Sequence, residues 1–206
     1  MLGIERYQEE KRDRWLNDEE LQRIWSVLEV HPKHLTSYVF KFLILTGARK
    51  GEVLQATWNQ FDFEKGVWTK PAHLTKHKKQ EHLPLSDKAL DVLHALKELI
   101  SQNSPYLFPG KIAGAPLQEI KTFWKRLLKE ANLENVRIHD LRHTHAFHLV
   151  SSGLSLSIVG KLLGHTQAST TQRYAHLADE PLRQAAELFG TKLNKLASHS
   201  SKDKQL

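Results

Sequence analysis

Apolar residues recur at helical spacing through most of this chain, and the pattern gives way to alternation in one stretch only, between Phe61 and Leu85. A mainly α fold with a small antiparallel β-sheet follows. Asn17 opens an Asn-Asp-Glu-Glu start with Glu20 three residues on, a capping-box signal, and Leu21, Ile24, Trp25 and Leu28 continue one face. A second helix is expected over His34 to Leu45, stopped by Gly47, and a third over Glu52 to Trp58. Phe61 to Phe63, the turn Glu64-Lys65-Gly66 and Val67 to Thr69 read as a hairpin, with Glu81 to Leu85 as a third strand. Ser86 caps a helix over Asp87 to Ile100, and the Pro- and Gly-rich stretch Asn103 to Pro116 is a loop. Further helices are expected over Leu117 to Glu130, Asp140 to Ser151, Ser155 to Leu163, Thr170 to His176 and Pro181 to Leu196.

Length and composition narrow the class. With 206 residues there is room for one ordinary domain and a core that needs no staples. The absence of cysteine from these residues excludes disulfides, thiolate zinc sites and cysteine nucleophiles among them. The longest uninterrupted apolar run, Phe42 to Leu45, is far short of a membrane span, and Met1 to Trp15 is too charged for a signal peptide. A soluble intracellular protein is expected. The excess of 30 Lys+Arg over 23 Asp+Glu gives a net charge of +7, which favours a polyanion as partner, nucleic acid before membrane.

Several polar residues stand at helix boundaries. Arg49 lies in Thr46-Gly-Ala-Arg-Lys-Gly-Glu52, between two apolar helices. His139 and Arg142 are three apart at the start of another helix and share its face. His165 follows Leu163-Gly164, and Tyr174 comes nine residues later. Taken singly, each has a plainer explanation as a cap, a surface charge or a packing residue. Together they suit a phosphodiester. Arginine's planar fork matches two phosphate oxygens and keeps its charge. Tyrosine can form a covalent phosphoester. Arginines in place of metal ions would then stabilise the charged transition state.

Three motifs in this order, Thr-Gly-Ala-Arg-Lys-Gly-Glu-Val-Leu, His-Asp-Leu-Arg-His-Thr-His-Ala and Leu-Gly-His with its following Tyr, resemble the tyrosine recombinase (phage integrase) catalytic domain from about residue 16 to 190. The resemblance implies that fold and a site-specific recombinase or integrase of a mobile element, breaking and rejoining DNA through a 3′-phosphotyrosine. It also implies roles. Arg49 and Arg142 clamp the scissile phosphate, Tyr174 is the nucleophile, His139 assists proton transfer from that tyrosine, and His165 donates a hydrogen bond to a phosphate oxygen. Glu52 supports the site, and Lys76, in Leu-Thr-Lys-His-Lys-Lys-Gln-Glu-His-Leu-Pro-Leu, is the general acid for the departing 5′ oxygen. Lys78 and Lys79 fit a basic turn along the DNA backbone better. Gln60 stands where many members carry Asp, a structural change.

The family further implies double-stranded DNA as partner, a homo-tetramer on DNA for the full-length protein, no metal or ATP, and the cytoplasm of a bacterial host. A fragment would be monomeric in solution. Residues 1–15 resemble an interdomain linker, 16–197 the catalytic domain, and 198–206 a polar tail. His139 and His143 have the spacing of a metal pair, but His143 and His145 are read as core or hydrogen-bonded helix residues. Three rivals are weaker. A catalytically silent DNA-binding relative would lack Tyr174 or an arginine, and a tyrosine-type topoisomerase carries its tyrosine in a separate C-terminal region. A metal-dependent hydrolase would lose activity in EDTA.

Overall fold

The computed structural model describes residues 14–76, 78–100 and 104–165, together with 171, 172, 174, 175, 187, 188, 191 and 192. In chain order they form α1 (Asp18–Glu29), α2 (Leu35–Thr46), α3 (Lys50–Leu54), β1 (Phe61–Asp62), β2 (Val67–Lys70), β3 (Glu81–Pro84), α4 (Asp87–Leu99), α5 (Lys121–Glu130), α6 (Asp140–Ser151) and α7 (Leu156–Leu162). The expectation of a helical domain with one small antiparallel sheet holds.

Capping sets several of the starts. Asn17 Oδ1 accepts from the Glu20 amide at 2.9 Å, and Glu20 Oε2 accepts from the Asn17 amide at 3.1 Å. Two first-turn amides with no partner inside the helix are thereby satisfied. Ser86 and Ser155 cap α4 and α7 through their side chains.

α2 is the central helix. Tyr38, Val39, Phe40, Phe42 and Leu43 are all buried, and it packs on α1, α4 and α6. A helix apolar on most of its faces can only be stable when surrounded. The sheet runs β1-β2-β3, antiparallel, with Phe61 opposite Trp68, Trp68 opposite Leu83 and Lys70 opposite Glu81. Phe61 and Trp68 stack with ring centroids 5.3 Å apart, and Phe42 of α2 lies 6.0 and 5.5 Å from them. Each such pair adds about 0.5–1.5 kcal/mol beyond the area it buries. This trio fixes the sheet against the helices.

Two helices differ from expectation. α3 is earlier and shorter than Glu52 to Trp58, because the chain past Leu54 is drawn into extended pairing. The Ala56 carbonyl accepts from the Leu107 amide at 2.9 Å, and Thr57 bridges to Tyr106. α5 begins at Lys121 rather than Leu117, since the Leu117 amide donates to the Phe108 carbonyl and Pro109 bridges to Pro116. Of the stretch Thr170 to His176, residues 171 and 172 are helical. The helix expected over Pro181 to Leu196 lies outside the described residues except 187, 188, 191 and 192, which are helical. Residues 1–13 and the tail 198–206 lie outside them as well.

Among the described residues the core has two parts. The larger gathers residues from α1 to α5, the sheet and the start of α6, while the smaller comprises Ala146, Val150, Val159, Leu163 and Tyr174. The chain enters the fold along α6. Trp15 stacks on Phe147 at 4.7 Å, the Leu16 amide donates to Thr144 Oγ1 at 2.9 Å, and His148 Nε2 donates to the Leu16 carbonyl at 2.9 Å. Among the described residues no helix is long and apolar enough to cross a membrane.

Candidate active site

The site begins where α2 ends. Gly47 has φ of +60°, and a Cβ there would lie 2.7 Å from His145 Cδ2 and 2.8 Å from Leu163 Cδ2. Only glycine serves at this exit, for conformational and steric reasons alike. The chain then turns so that Arg49 becomes the residue before α3. Arg49 Nη1 donates to Glu52 Oε1 at 2.6 Å, the Arg49 amide donates to Glu52 Oε2 at 3.2 Å, and Nη2 donates to the Gly164 carbonyl at 3.4 Å. The guanidinium is held from behind while the side chain stays partly open to solvent.

Glu52 is 2% exposed. Burial alone would raise its pKa, but the Lys70 ammonium and the Arg49 fork outweigh that and hold the carboxyl below its ordinary range. Lys70, the last residue of β2, is 1% exposed, with Nζ 3.2 Å from Glu52 Oε2 and 2.8 Å from Glu81 Oε2. The sequence pattern did not single out Lys70 or Glu81. A signal was there, because strand alternation puts Lys70 on the same inward face as Trp68. Glu81 in turn abuts the turn after α7, where Gly164 has φ of +63° and a Cβ would meet the Glu81 carboxylate at 2.5 Å.

Arg142, in the first turn of α6, is 5% exposed. Its Nη1 donates to the Gly47 carbonyl at 2.8 Å and its Nη2 to the Leu163 carbonyl. Burial, followed by the like charge of Arg49, pushes its pKa down to about 10, with Glu52, Tyr174 and Glu81 pulling the other way. It remains a cation at neutral pH. His139 immediately precedes α6 and is exposed; with Arg142, Leu43, Ala48 and Lys50 it lines a cleft of about 220 Å³.

Tyr174 is buried, and its hydroxyl lies 2.6 Å from His143 Nδ1. His143 is thus hydrogen-bonded, as expected, but to the residue marked as nucleophile. The signal that could have found it is its position four residues after His139, on the same face of α6. His165 Nδ1 is 2.9 Å from Thr171 Oγ1. His145 Nδ1 donates to the Ile44 carbonyl at 3.1 Å, a core role. Lys76 stands apart: exposed on the turn between β2 and β3, it makes no hydrogen bond or ion pair with the described residues. Thr75 shapes that turn by accepting from the Lys79 amide at 3.1 Å and donating to the Lys79 carbonyl at 2.7 Å. Gln60 accepts from Trp68 Nε1 at 3.0 Å, so it serves the sheet.

Arg49, Glu52, Arg142 and Tyr174 therefore share one electrostatic site, with His139, His143 and His165 on the same or adjoining helix ends. Two anchored guanidinium groups beside a phenol suit an anionic ester.

The fold is that of tyrosine recombinase catalytic domains. It matches the catalytic domain of bacteriophage HP1 integrase with a TM-score of 0.64 at 24% identity, covering 85% of this chain and 95% of that one. It also matches a XerH site-specific recombinase bound to its palindromic difH substrate in a post-cleavage complex, with a TM-score of 0.68 at 24% identity, covering 87% and 54%. The integrase of Salmonella phage P22 is 30% identical over 94% of this chain and 52% of its own length. The sequence profile of the phage integrase family matches residues 14–181, and the chain belongs to that family. It spans about half the length of the curated relatives it matches.

Proposed function

We propose that this chain is the catalytic unit of a site-specific DNA recombinase, cleaving and rejoining double-stranded DNA without metal or ATP. The observation that carries this reading is the buried Tyr174 phenol, close enough to Arg142 to shape that arginine's electrostatics, in a site where Arg49 and Arg142 are both braced. Arg49 and Arg142 hold the scissile phosphate, and their charges offset the charge that builds up as it becomes five-coordinate. Tyr174 Oη attacks phosphorus, and the bond to the 5′ oxygen breaks. The 3′ side stays on the enzyme as a phosphotyrosine, which conserves the bond energy. Lys76 protonates the departing 5′ oxygen, His165 donates to a non-bridging oxygen, His139 assists proton transfer, and Glu52 fixes Arg49. A 5′-hydroxyl from the partner strand then reverses the chemistry.

The net charge of +7 and the likeness to a DNA-bound recombinase support duplex DNA as the substrate. On this reading the full-length protein works as a homo-tetramer on DNA in a bacterial cytoplasm, and this stretch alone is a monomer.

Covalent capture tests the reading. The probe is a pool of duplexes with one fixed bridging 5′-phosphorothiolate flanked by randomised sequence. Selection under denaturing conditions recovers duplexes bound covalently to the chain. Peptide mapping should find the adduct on Tyr174, and EDTA should leave the yield unchanged. Wild-type protein that captures nothing, or an adduct on another residue, would refute it.

A further inference from the structure

The family resemblance assigns the tyrosine's proton to His139. The geometry points to His143: we infer that His143 Nδ1 is the group that takes the proton from Tyr174 as it attacks and returns it on rejoining. This rests on Tyr174 being the nucleophile, as proposed above.

A phenol with an ordinary pKa near 10 is largely un-ionised at neutral pH and attacks phosphorus poorly unless a base accepts its proton. A candidate base must first be within hydrogen-bond reach, about 2.6–3.2 Å. The Tyr174 hydroxyl and His143 Nδ1 are 2.6 Å apart. Imidazole has the appropriate basicity, with an ordinary pKa near 6.5. His143 projects from α6 one residue after Arg142, whose guanidinium is fixed to the carbonyls of Gly47 and Leu163. The base and one phosphate clamp therefore ride on the same helix, and any displacement of α6 moves both. His139 stands against His143 with ring centroids 5.0 Å apart, edge to face. It can bias the ring it touches while His143 makes the bond to the reacting oxygen.

The step balances. The Tyr174 O–H bond breaks and its proton goes to Nδ1, with Nε2 already protonated. The new O–P bond forms while the P–O5′ bond breaks, and the 5′ oxygen takes its proton from Lys76. In rejoining, the 5′-hydroxyl attacks phosphorus and gives its proton to the Lys76 amine, the Tyr174 O–P bond breaks, and the imidazolium returns its proton to Tyr174 Oη.

A sulfur-bridged duplex isolates this half of the reaction, because thiolate departs without a proton. On the duplex recovered by capture, His143→Gln should form adduct about 10²-fold more slowly than wild type with unchanged DNA binding. Glutamine can still hydrogen-bond the phenol but cannot carry its proton. His143→Ala should be slow as well, and added imidazole should restore part of its rate. A His143→Gln rate within about threefold of wild type would overturn the proposal, as would an alanine variant indifferent to imidazole. Nitrogen-15 NMR of the free chain gives a reading that needs no DNA: Tyr174→Phe should shift the His143 Nδ1 resonance, and an unmoved resonance also overturns it. An adduct formed by Tyr174→Phe would instead refute the nucleophile assignment, whatever His143 does.

Discussion

The Lys70 ammonium lies 3.2 Å from Glu52 Oε2, and that contact bonds the sheet to the carboxylate that holds Arg49. Its other partner, Glu81, sits directly across the strand pair at 2.8 Å. The three side chains form one chain of charge from β3 to α3, with Lys70 and Glu52 buried and Glu81 half-buried.

Removing the central cation should therefore be costly. Lys70→Met leaves two carboxylates short of a partner, one of them fully buried, and is expected to destabilise the fold by about 3–5 kcal/mol in urea unfolding. Adding Glu81→Gln should recover part of that loss. If Lys70→Met is neutral, the cluster is not held by charge.

Gly47→Ala combines a left-handed backbone with a Cβ 2.7 Å from the His145 ring. The expected loss is about 1–3 kcal/mol of stability. Adduct formation should fall further than stability predicts, because the Gly47 carbonyl is a prop for Arg142. Stability and cleavage declining in step would show the carbonyl to be dispensable.

For Lys76 the test is chemical. An alkoxide leaves poorly without a proton donor, which is worth about 10²–10⁴-fold. Lys76→Ala should cripple adduct formation on ordinary DNA and recover most of the rate when the bridging oxygen is sulfur. Lys78→Ala and Lys79→Ala should weaken binding without that selective recovery. Equal slowness of Lys76→Ala on both substrates would make Lys76 a phosphate contact.

His145 gives a pH prediction. Burial, with smaller pushes from Arg142 and His148, sets its folded pKa below 6.5 despite its bond to the Ile44 carbonyl. Above about pH 6.5 the ring is neutral in both states and its stabilising contribution is complete. As pH falls from there toward the folded pKa, the unfolded chain binds the proton first, and stability declines. The urea midpoint should drop between pH 7.5 and 5.5, and His145→Gln should drop less. Glu52 titrates lower than this window, since its folded pKa is held below 4.5. Equal slopes for the two proteins would remove His145 as the cause.

Much of the fold was legible because local signals agreed with it. Asn17 with Glu20, Ser86, Ser155 and Gly47 each mark a helix end through chemistry confined to a few residues. The misplaced boundaries, at α3 and α5, are set by pairing between Ala56 and Leu107 and between Phe108 and Leu117, which no local pattern carries. At the site, Arg49, Arg142 and Tyr174 stood out by their motifs, and the structure brings them together. Lys70 carries no motif, and from the sequence His143 reads only as a core or hydrogen-bonded helix residue. A lysine in a short strand reads as a solvated edge until its two carboxylates are known, and one histidine among three on α6 gains meaning only from the tyrosine that faces it.

The bonds that hold Arg142 join residues 95 and 21 positions apart, and Arg49 reaches Gly164 across 115. They cross the seam between the two apolar clusters that the described residues form. A seam bridged by these polar bonds can open at a lower free energy than the whole domain. The clamp on the phosphate would then come apart while the aromatic core around Trp68 is still packed. On warming, loss of cleavage should precede loss of helix signal by several degrees, so this chain reports on its own integrity through its activity before its melting shows.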